Sequence, residues 1–164
     1  MTKLYKQLYQ SPIGTIEILG TDEHITSILF VDEEYQANDE CPRVLEDCKV
    51  QLDEYFQGKR SEFTFSYLFG GTDFQKKVWG ALTEIPYAET ASYKEIALSI
   101  GNDRSSRGVG SANGKNRLSI VIPCHRVIGS NGKLTGYAGG LWRKEWLLRH
   151  ERSLSKTGVH YDIF

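Results

Sequence analysis

The sequence predicts an α+β protein in which a small N-terminal antiparallel sheet with one helix precedes a helical C-terminal domain that contains a helix-turn-helix. Three observations support this fold class. Short β-branched and aromatic runs alternate with turn residues at the start of the chain, apolar residues recur at helical spacing after residue 42, and two short helical patterns flank a tight turn near residue 102. The 164 residues suffice for one domain or two small ones.

Three β-rich runs open the chain. They cover residues 4–9, 15–19 and 25–31 and are separated by turn residues, so we expect a three-stranded antiparallel meander. A further short strand is possible at residues 63–65.

A helix follows the meander. Pro42 opens a segment in which Leu45, Cys48 and Leu52 recur at helical spacing, with Gly58 just beyond its end. This pattern predicts an amphipathic helix covering the sheet, with Cys48 in the core.

The paired glycines at positions 70 and 71 mark the expected domain boundary. The sequence therefore predicts an N-terminal domain with its connector over residues 1–71 and a second domain over residues 72–164. Thr72 and Gln75 form a capping box at the start of a helix that we expect to continue until Pro86.

The helix-turn-helix is predicted from a second capping box, Ser92 and Glu95, and from a helix end at Gly101. The next helix, over residues 105–112, is rich in glycine. Since each glycine weakens a helix by about 1 kcal/mol, this helix needs a compensating reason. Tight packing on another helix is one, and close approach to a narrow groove of DNA is the other.

Charge is distributed unevenly although the net charge is only −1. Residues 32–54 contain nine acidic and two basic residues, whereas most charged residues between 93 and 126 are basic. Any contact with phosphates therefore belongs to the second half of the chain.

The three cysteines lack metal-ligand spacing and, being odd in number, do not suggest a disulfide framework. No long apolar stretch or signal-peptide pattern is visible. We therefore expect a soluble, cytoplasmic protein without a membrane partner, in which the thiols are reduced.

One cysteine lies within a motif typical of reactive sites. Residues 120–122 and 127–128 are apolar runs on either side of Pro123, Cys124, His125 and Arg126, which predicts a strand that stops at the proline and presents a thiol beside an imidazole. A thiol needs a nearby base or positive charge to become a strong nucleophile. A structural cysteine and a cysteine hydrolase are the alternatives, although adjacent residues seldom form a direct Cys-His pair.

The string PCHRV, followed by GYAGG at 136–140 and KEWLL at 144–148, resembles the O6-alkylguanine-DNA alkyltransferase family. The resemblance is strong over residues 72–151 and weak before them. It implies a ribonuclease H-like first domain and a monomer that repairs double-stranded DNA containing alkylated guanine. The alkyl group, chiefly methyl, passes from the O6 of guanine, and also from the O4 of thymine, to Cys124 after minor-groove binding and nucleotide flipping. Each molecule acts once, without cofactor or metal.

The resemblance also implies catalytic roles. Glu145 would orient His125, which takes the proton of Cys124 through a water, and Asn116 would stabilise the turn that carries the site. The residues themselves place Glu145 on one helix face with Leu141 and Leu148, where a carboxylate needs a partner; a salt bridge to any arginine is the alternative.

Further site residues follow from the resemblance. Arg107 would fill the space left by the flipped nucleotide, and Tyr93 would press on the phosphate 3′ to it and contact the guanine. The remaining DNA-contact candidates are Ser105, Gly108 and Ala112. The candidates for the substrate pocket are Tyr93, Val127, Tyr137, Ala138 and Ser119. Ser119 replaces a proline that many members carry, so methyl transfer is implied more firmly than transfer of benzyl-sized groups.

Two binding proteins are alternatives to the enzyme: a non-catalytic binder of alkylated DNA and a helix-turn-helix regulator. Such binders replace the cysteine, whereas Cys124 is present. Alkylation of Cys124 would distinguish the enzyme from both.

Overall fold

The computed structural model describes residues 3–32, 37–101 and 106–155. The chain divides into two compact units, one formed by Met1–Phe69 with Arg117–Ser119 and the other by Gly70–Asn116 with Ile120–Phe164. The short segment joins the first unit because Ile28 N donates to Arg117 O at 2.7 Å and Ser119 N donates to Ile28 O at 3.0 Å. The sequence had placed this segment in the second domain.

The first unit contains the predicted meander. Its strands β1 (Tyr5–Ser11), β2 (Gly14–Gly20) and β3 (Ile25–Val31) pair antiparallel in that order. Alternate side chains on β2, Ile16 and Ile18, are fully buried, as expected of a sheet with one covered face.

Helix α1 (Arg43–Phe56) covers this sheet with the predicted face. Leu45, Cys48 and Leu52 are fully buried, which confirms Cys48 as a core residue. Gly58 follows the helix with φ +77°, a conformation that favours glycine. Residues 63–65 do not form a strand.

The second unit is built mainly from helices. They are α2 (Asp73–Leu82), α3 (Tyr93–Ser99), α4 (Ser106–Gly114) and α5 (Leu141–Ser153). Both predicted capping boxes are present, at Thr72 with Gln75 and at Ser92 with Glu95. The first of these helices ends before Pro86, earlier than predicted. The Trp79 indole ties α2 to α4 by donating to Ala112 O at 2.9 Å.

The predicted strand before Cys124 is wrong. Residues 120–122 form turns instead, and Ile120 adopts φ +73°, which a β-branched residue rarely tolerates. The strand lies after the cysteine: β5 (Val127–Ile128) pairs parallel with β4 (Ala91–Ser92). Among the described residues, no helix has both the length and the continuous apolar sequence that crossing a bilayer requires.

Candidate active site

Cys124 begins a single turn of 3-10 helix, Cys124–Arg126, directly after Pro123. Its amide donates to Ile122 O at 2.7 Å, and the Arg126 amide donates to Pro123 O at 2.9 Å. The cysteine is only 3% exposed. The backbone thus fixes the thiol in a buried position at the end of a tight turn.

Asn116 contacts both the thiol and the turn that carries it. Its Nδ2 lies 3.2 Å from Cys124 Sγ and also donates to Ile122 O at 2.8 Å. Burial raises the pKa of the Cys124 thiol, while the Asn116 hydrogen bond and the positive charge of Lys144 oppose that rise. The site therefore needs a proton acceptor to form thiolate at neutral pH.

The predicted pairing of His125 with Glu145 is wrong. Glu145 is 44% exposed and bridges to Arg149 at 2.7 Å, one turn further along α5. His125 Nε2 instead lies 2.7 Å from Glu151 Oε2, and both side chains are fully buried. The face of α5 that turns inward carries Glu151, whereas Glu145 points towards solvent.

Glu151 receives several hydrogen bonds besides that of His125. Arg126 Nε donates to Oε1 at 2.8 Å and Nη2 to Oε2 at 3.0 Å, and the Ala88 amide donates to Oε1 at 3.1 Å. Burial would raise the pKa of Glu151, but His125 and Arg126 outweigh it and hold that pKa well below its usual range. The carboxylate therefore stays ionised and holds both neighbours in place.

Burial lowers the pKa of His125, although Glu151 opposes this effect. The imidazole is therefore neutral at pH 7. Since Nε2 faces the carboxylate, Nε2 carries the proton and Nδ1 keeps its lone pair. Nδ1 is buried and makes no hydrogen bond within the described part of the chain.

The candidate pocket residues occupy different surroundings. Val127 is fully buried in β5, Tyr137 is half-buried and Ala138 is exposed in the loop before α5. Ser119 is buried in the first unit beside β3. Tyr93 is half-buried at the start of α3, and its Oη accepts a hydrogen bond from Thr135 Oγ1 at 2.7 Å.

Helix α4 presents only some of the predicted DNA contacts. Arg107 is exposed and Gly108 is half-buried, whereas Ser105 lies outside the described residues. The Ala112 side chain is 2% exposed, so it belongs to the core and the prediction that it contacts DNA is wrong. Ser111 is exposed one turn after Arg107.

Two glycines of α4, Gly110 and Gly114, are not explained by packing within the described part of the chain. A Cβ added to Gly110 would meet its nearest neighbour, the Tyr93 ring, at 3.8 Å, and one added to Gly114 would meet nothing within 4 Å. Ordinary contact or open space leaves room for alanine at both positions. Close approach to an outside surface is therefore the better of the two explanations.

Sequence reasoning also missed three contributors: Glu151 and Lys144, which are buried, and Thr135, which is half-buried. The first two belong to an inward stripe on α5, which comprises Lys144, Leu147, Leu148 and Glu151. Leu147 and Leu148 are adjacent apolar residues, and a helix face centred on them would have predicted that Lys144 and Glu151 are buried. Nothing in the sequence pointed to Thr135.

Comparison with known proteins is consistent with this geometry. The family model described as the 6-O-methylguanine DNA methyltransferase DNA-binding domain matches residues 73–153, and that of the ribonuclease-like domain matches residues 4–67. The methylated-DNA-protein-cysteine methyltransferase of Methanosarcina acetivorans is 46% identical over 92% of this chain and 99% of its own length. The chain belongs to the 6-O-methylguanine DNA methyltransferase family.

Solved structures of this family agree with the fold. The Mycobacterium tuberculosis O6-methylguanine methyltransferase superposes with a TM-score of 0.85 at 42% identity, covering 93% of this chain and 95% of that one. The M. tuberculosis OGT protein in complex with DNA gives a TM-score of 0.83 at 43% identity, covering 91% and 93%. The predicted family and fold class are confirmed, and residues 73–153 match the DNA-binding domain of that family.

Proposed function

We propose that the protein repairs DNA by transferring an alkyl group, chiefly methyl, from the O6 of guanine to Cys124 Sγ. The observation that carries this proposal is the buried arrangement of Asn116, Cys124, His125 and Glu151. It provides a thiol held by an amide and, at the next residue, a neutral base oriented by a carboxylate. Membership of the family supports the same chemistry.

The proton of Cys124 moves to His125. Glu151 holds the Nε2–H side of the ring, so Nδ1 accepts the thiol proton through a bridging water. The resulting imidazolium is stabilised by the ionised Glu151. The residue role predicted for Glu145 thus passes to Glu151.

The transfer itself is an in-line displacement. The thiolate attacks the alkyl carbon, the new C–S bond forms as the C–O6 bond breaks, and the electron pair goes to the guanine, which takes up a proton. Hydrogen-bond donors to the departing guanine stabilise the developing negative charge. The candidates are the Ala138 amide at O6 and Tyr93 at the guanine ring. A thioether is inert to water here, so each molecule reacts once. No step requires a metal or cofactor.

DNA binding is assigned to the α3–α4 helix-turn-helix. The small residues of α4 permit close approach to the minor groove, and the exposed Arg107 fills the space of the flipped nucleotide. Gly108 and Ser111 lie on the same helix and are candidate contacts. Tyr93 lies at the start of α3, where it would meet the phosphate 3′ to the lesion.

The finer assignments complete the proposal. Val127, Tyr137 and Ala138 are retained as candidate pocket residues. Ser119 stays a candidate from the family resemblance alone: it stands where many members carry a proline, which favours methyl over benzyl-sized groups as substrates. The protein acts as a monomer in the cytoplasm on duplex DNA containing alkylated guanine, and it also accepts O4-alkylthymine.

Intact-mass measurement tests the proposal directly. After incubation with excess duplex containing O6-methylguanine, the protein should gain one methyl group, located on Cys124, and repair should stop at one lesion per molecule. Cys124→Ser should bind the duplex without gaining mass. Cys41→Ser is the matched control, because this half-exposed thiol lies outside the site, and it should react as the natural protein does.

Two outcomes would overturn this assignment. Methyl transfer to Cys41 or Cys48 would remove the role of Cys124. Tight binding of the alkylated duplex without any mass gain would identify a non-catalytic binder instead.

A further inference from the structure

Thr135 lies at the centre of a small network in the second unit. Its Oγ1 donates to Tyr93 Oη at 2.7 Å, and its carbonyl accepts from Lys144 Nζ, also at 2.7 Å. The residue comes from the loop between β5 and α5. It therefore connects α3, which carries Tyr93, with α5, which carries Lys144.

Lys144 anchors this network. Its side chain is 0% exposed, and it forms no ion pair with a carboxylate in the described part of the chain. A buried ammonium requires a hydrogen-bond acceptor, and the Thr135 carbonyl provides one. The main chain at residue 135 is thus held by a charged hydrogen bond, which is stronger than a neutral one.

The hydroxyl of Thr135 restricts Tyr93. A phenol oxygen that accepts one hydrogen bond must direct its own proton elsewhere. Donation into Oη also polarises the phenol and strengthens it as a donor, because hydrogen bonds in a chain reinforce one another. A freely rotating Tyr93 hydroxyl would have neither advantage.

We propose that Thr135 is a positioning residue for alkyl transfer, because it holds the Tyr93 hydroxyl in the orientation in which Tyr93 donates its proton to the substrate guanine. This inference rests on the proposed function of Tyr93. Lys144 affects Tyr93 indirectly, because its hydrogen bond to the Thr135 carbonyl holds the main chain of Thr135 in place.

The experiment is a double-mutant cycle on the single-turnover rate of transfer to Cys124 at saturating duplex. Thr135→Val removes the hydroxyl but keeps the branched Cβ, and Tyr93→Phe removes its partner. Loss of one neutral hydrogen bond is expected to slow transfer by about two- to tenfold. In the Tyr93→Phe background, the same Thr135 substitution should have no further effect.

Two companion variants separate positioning from stability. Thr135→Ser keeps the hydroxyl and should restore most of the rate that valine loses. Thr83→Val is the matched control, because it removes an exposed hydroxyl at the end of α2 whose one hydrogen bond among the described residues is to Gly80 O, at 2.6 Å. Thermal unfolding of each variant shows whether a slower rate reflects the site or the fold.

The outcomes are distinct. If Tyr93→Phe slows transfer and Thr135→Val does not, the positioning role is wrong while the proposed function of Tyr93 stands. Equal slowing by Thr135→Val with and without the tyrosine hydroxyl also overturns it, because Thr135 then acts independently. An unchanged rate for Tyr93→Phe removes the role of Tyr93 in the proposed function, and the role of Thr135 with it.

Discussion

Replacement of Glu151 with glutamine should destabilise the second unit far more than the same change at Glu145, on the same helix. The Glu151 carboxylate accepts four N–H groups from His125, Arg126 and Ala88. A glutamine amide has one oxygen, so it serves two of these donors and points an NH₂ group at the others. Among the described residues, Glu145 pairs with Arg149 at the surface of the helix.

The expected magnitudes differ clearly. Removing one partner of a buried ion pair costs about 3–5 kcal/mol, whereas an exposed pair contributes about 0–1 kcal/mol.

All three tryptophans, at positions 79, 142 and 146, lie in the second unit. Urea unfolding followed by tryptophan fluorescence therefore measures the free energy of unfolding of the unit that contains the substitution.

The difference should depend on pH in a defined direction. Because the pKa of Glu151 is held below its unfolded value of about 4.3, its contribution is fully present above that pH and is lost as the pH falls through the folded pKa. The free energies of unfolding of the two variants should therefore begin to converge below about pH 4.

The rate of transfer to Cys124 by Glu151→Gln should be low at pH 7 and partly recover at alkaline pH, where the thiol ionises unaided. Equal stability of the two variants, or a constant gap from pH 3 to 7, would refute this account of Glu151.

Three further predictions concern other parts of the second unit. Gly110→Ala should raise the free energy of unfolding by about 0.5–1 kcal/mol in urea titrations yet weaken duplex binding. Gly80→Ala, in α2 with open space around it, should raise the free energy of unfolding without changing duplex binding. Arg107→Ala should slow repair of duplex by about tenfold to a hundredfold but leave reaction with free O6-methylguanine unchanged, as measured by transfer rates on both substrates. Burial lowers the pKa of Lys144 to about 8, so the natural protein should gain stability as the pH rises from about 8 to about 10.4, and Lys144→Met should abolish that gain in urea titrations.

Much of the fold could be predicted from local sequence because its signals are local. The capping boxes at Thr72 and Ser92 and the helix end at Gly58 depend only on neighbouring residues, and each is present. The prediction of a strand before Cys124 is wrong because Ile120 adopts a left-handed backbone conformation, which its β-branched side chain disfavours. A single sequence does not reveal such a conformation.

The site was predicted only in part, and the error has a physical origin. Cys124, His125 and Asn116 are predicted from the sequence and lie together in the structure. The predicted carboxylate, Glu145, lies on a different face of α5 from Glu151, which pairs with His125. The predicted face of α5 includes Leu141, but this residue is half exposed at the start of the helix. Starting from Leu147 and Leu148 instead gives an inward stripe that ends at Glu151.

The buried face of α5 carries two opposite charges, Lys144 and Glu151. Such charges weaken the apolar pattern from which a buried face is normally recognised. Each has hydrogen-bond partners in a different part of the site: Glu151 accepts from His125 and from the positively charged Arg126, and Lys144 donates to the carbonyl of Thr135. The helix thus supports the base at one end and the Tyr93 hydroxyl at the other. The features that make α5 hard to recognise as amphipathic are the ones that we propose position the chemistry at Cys124.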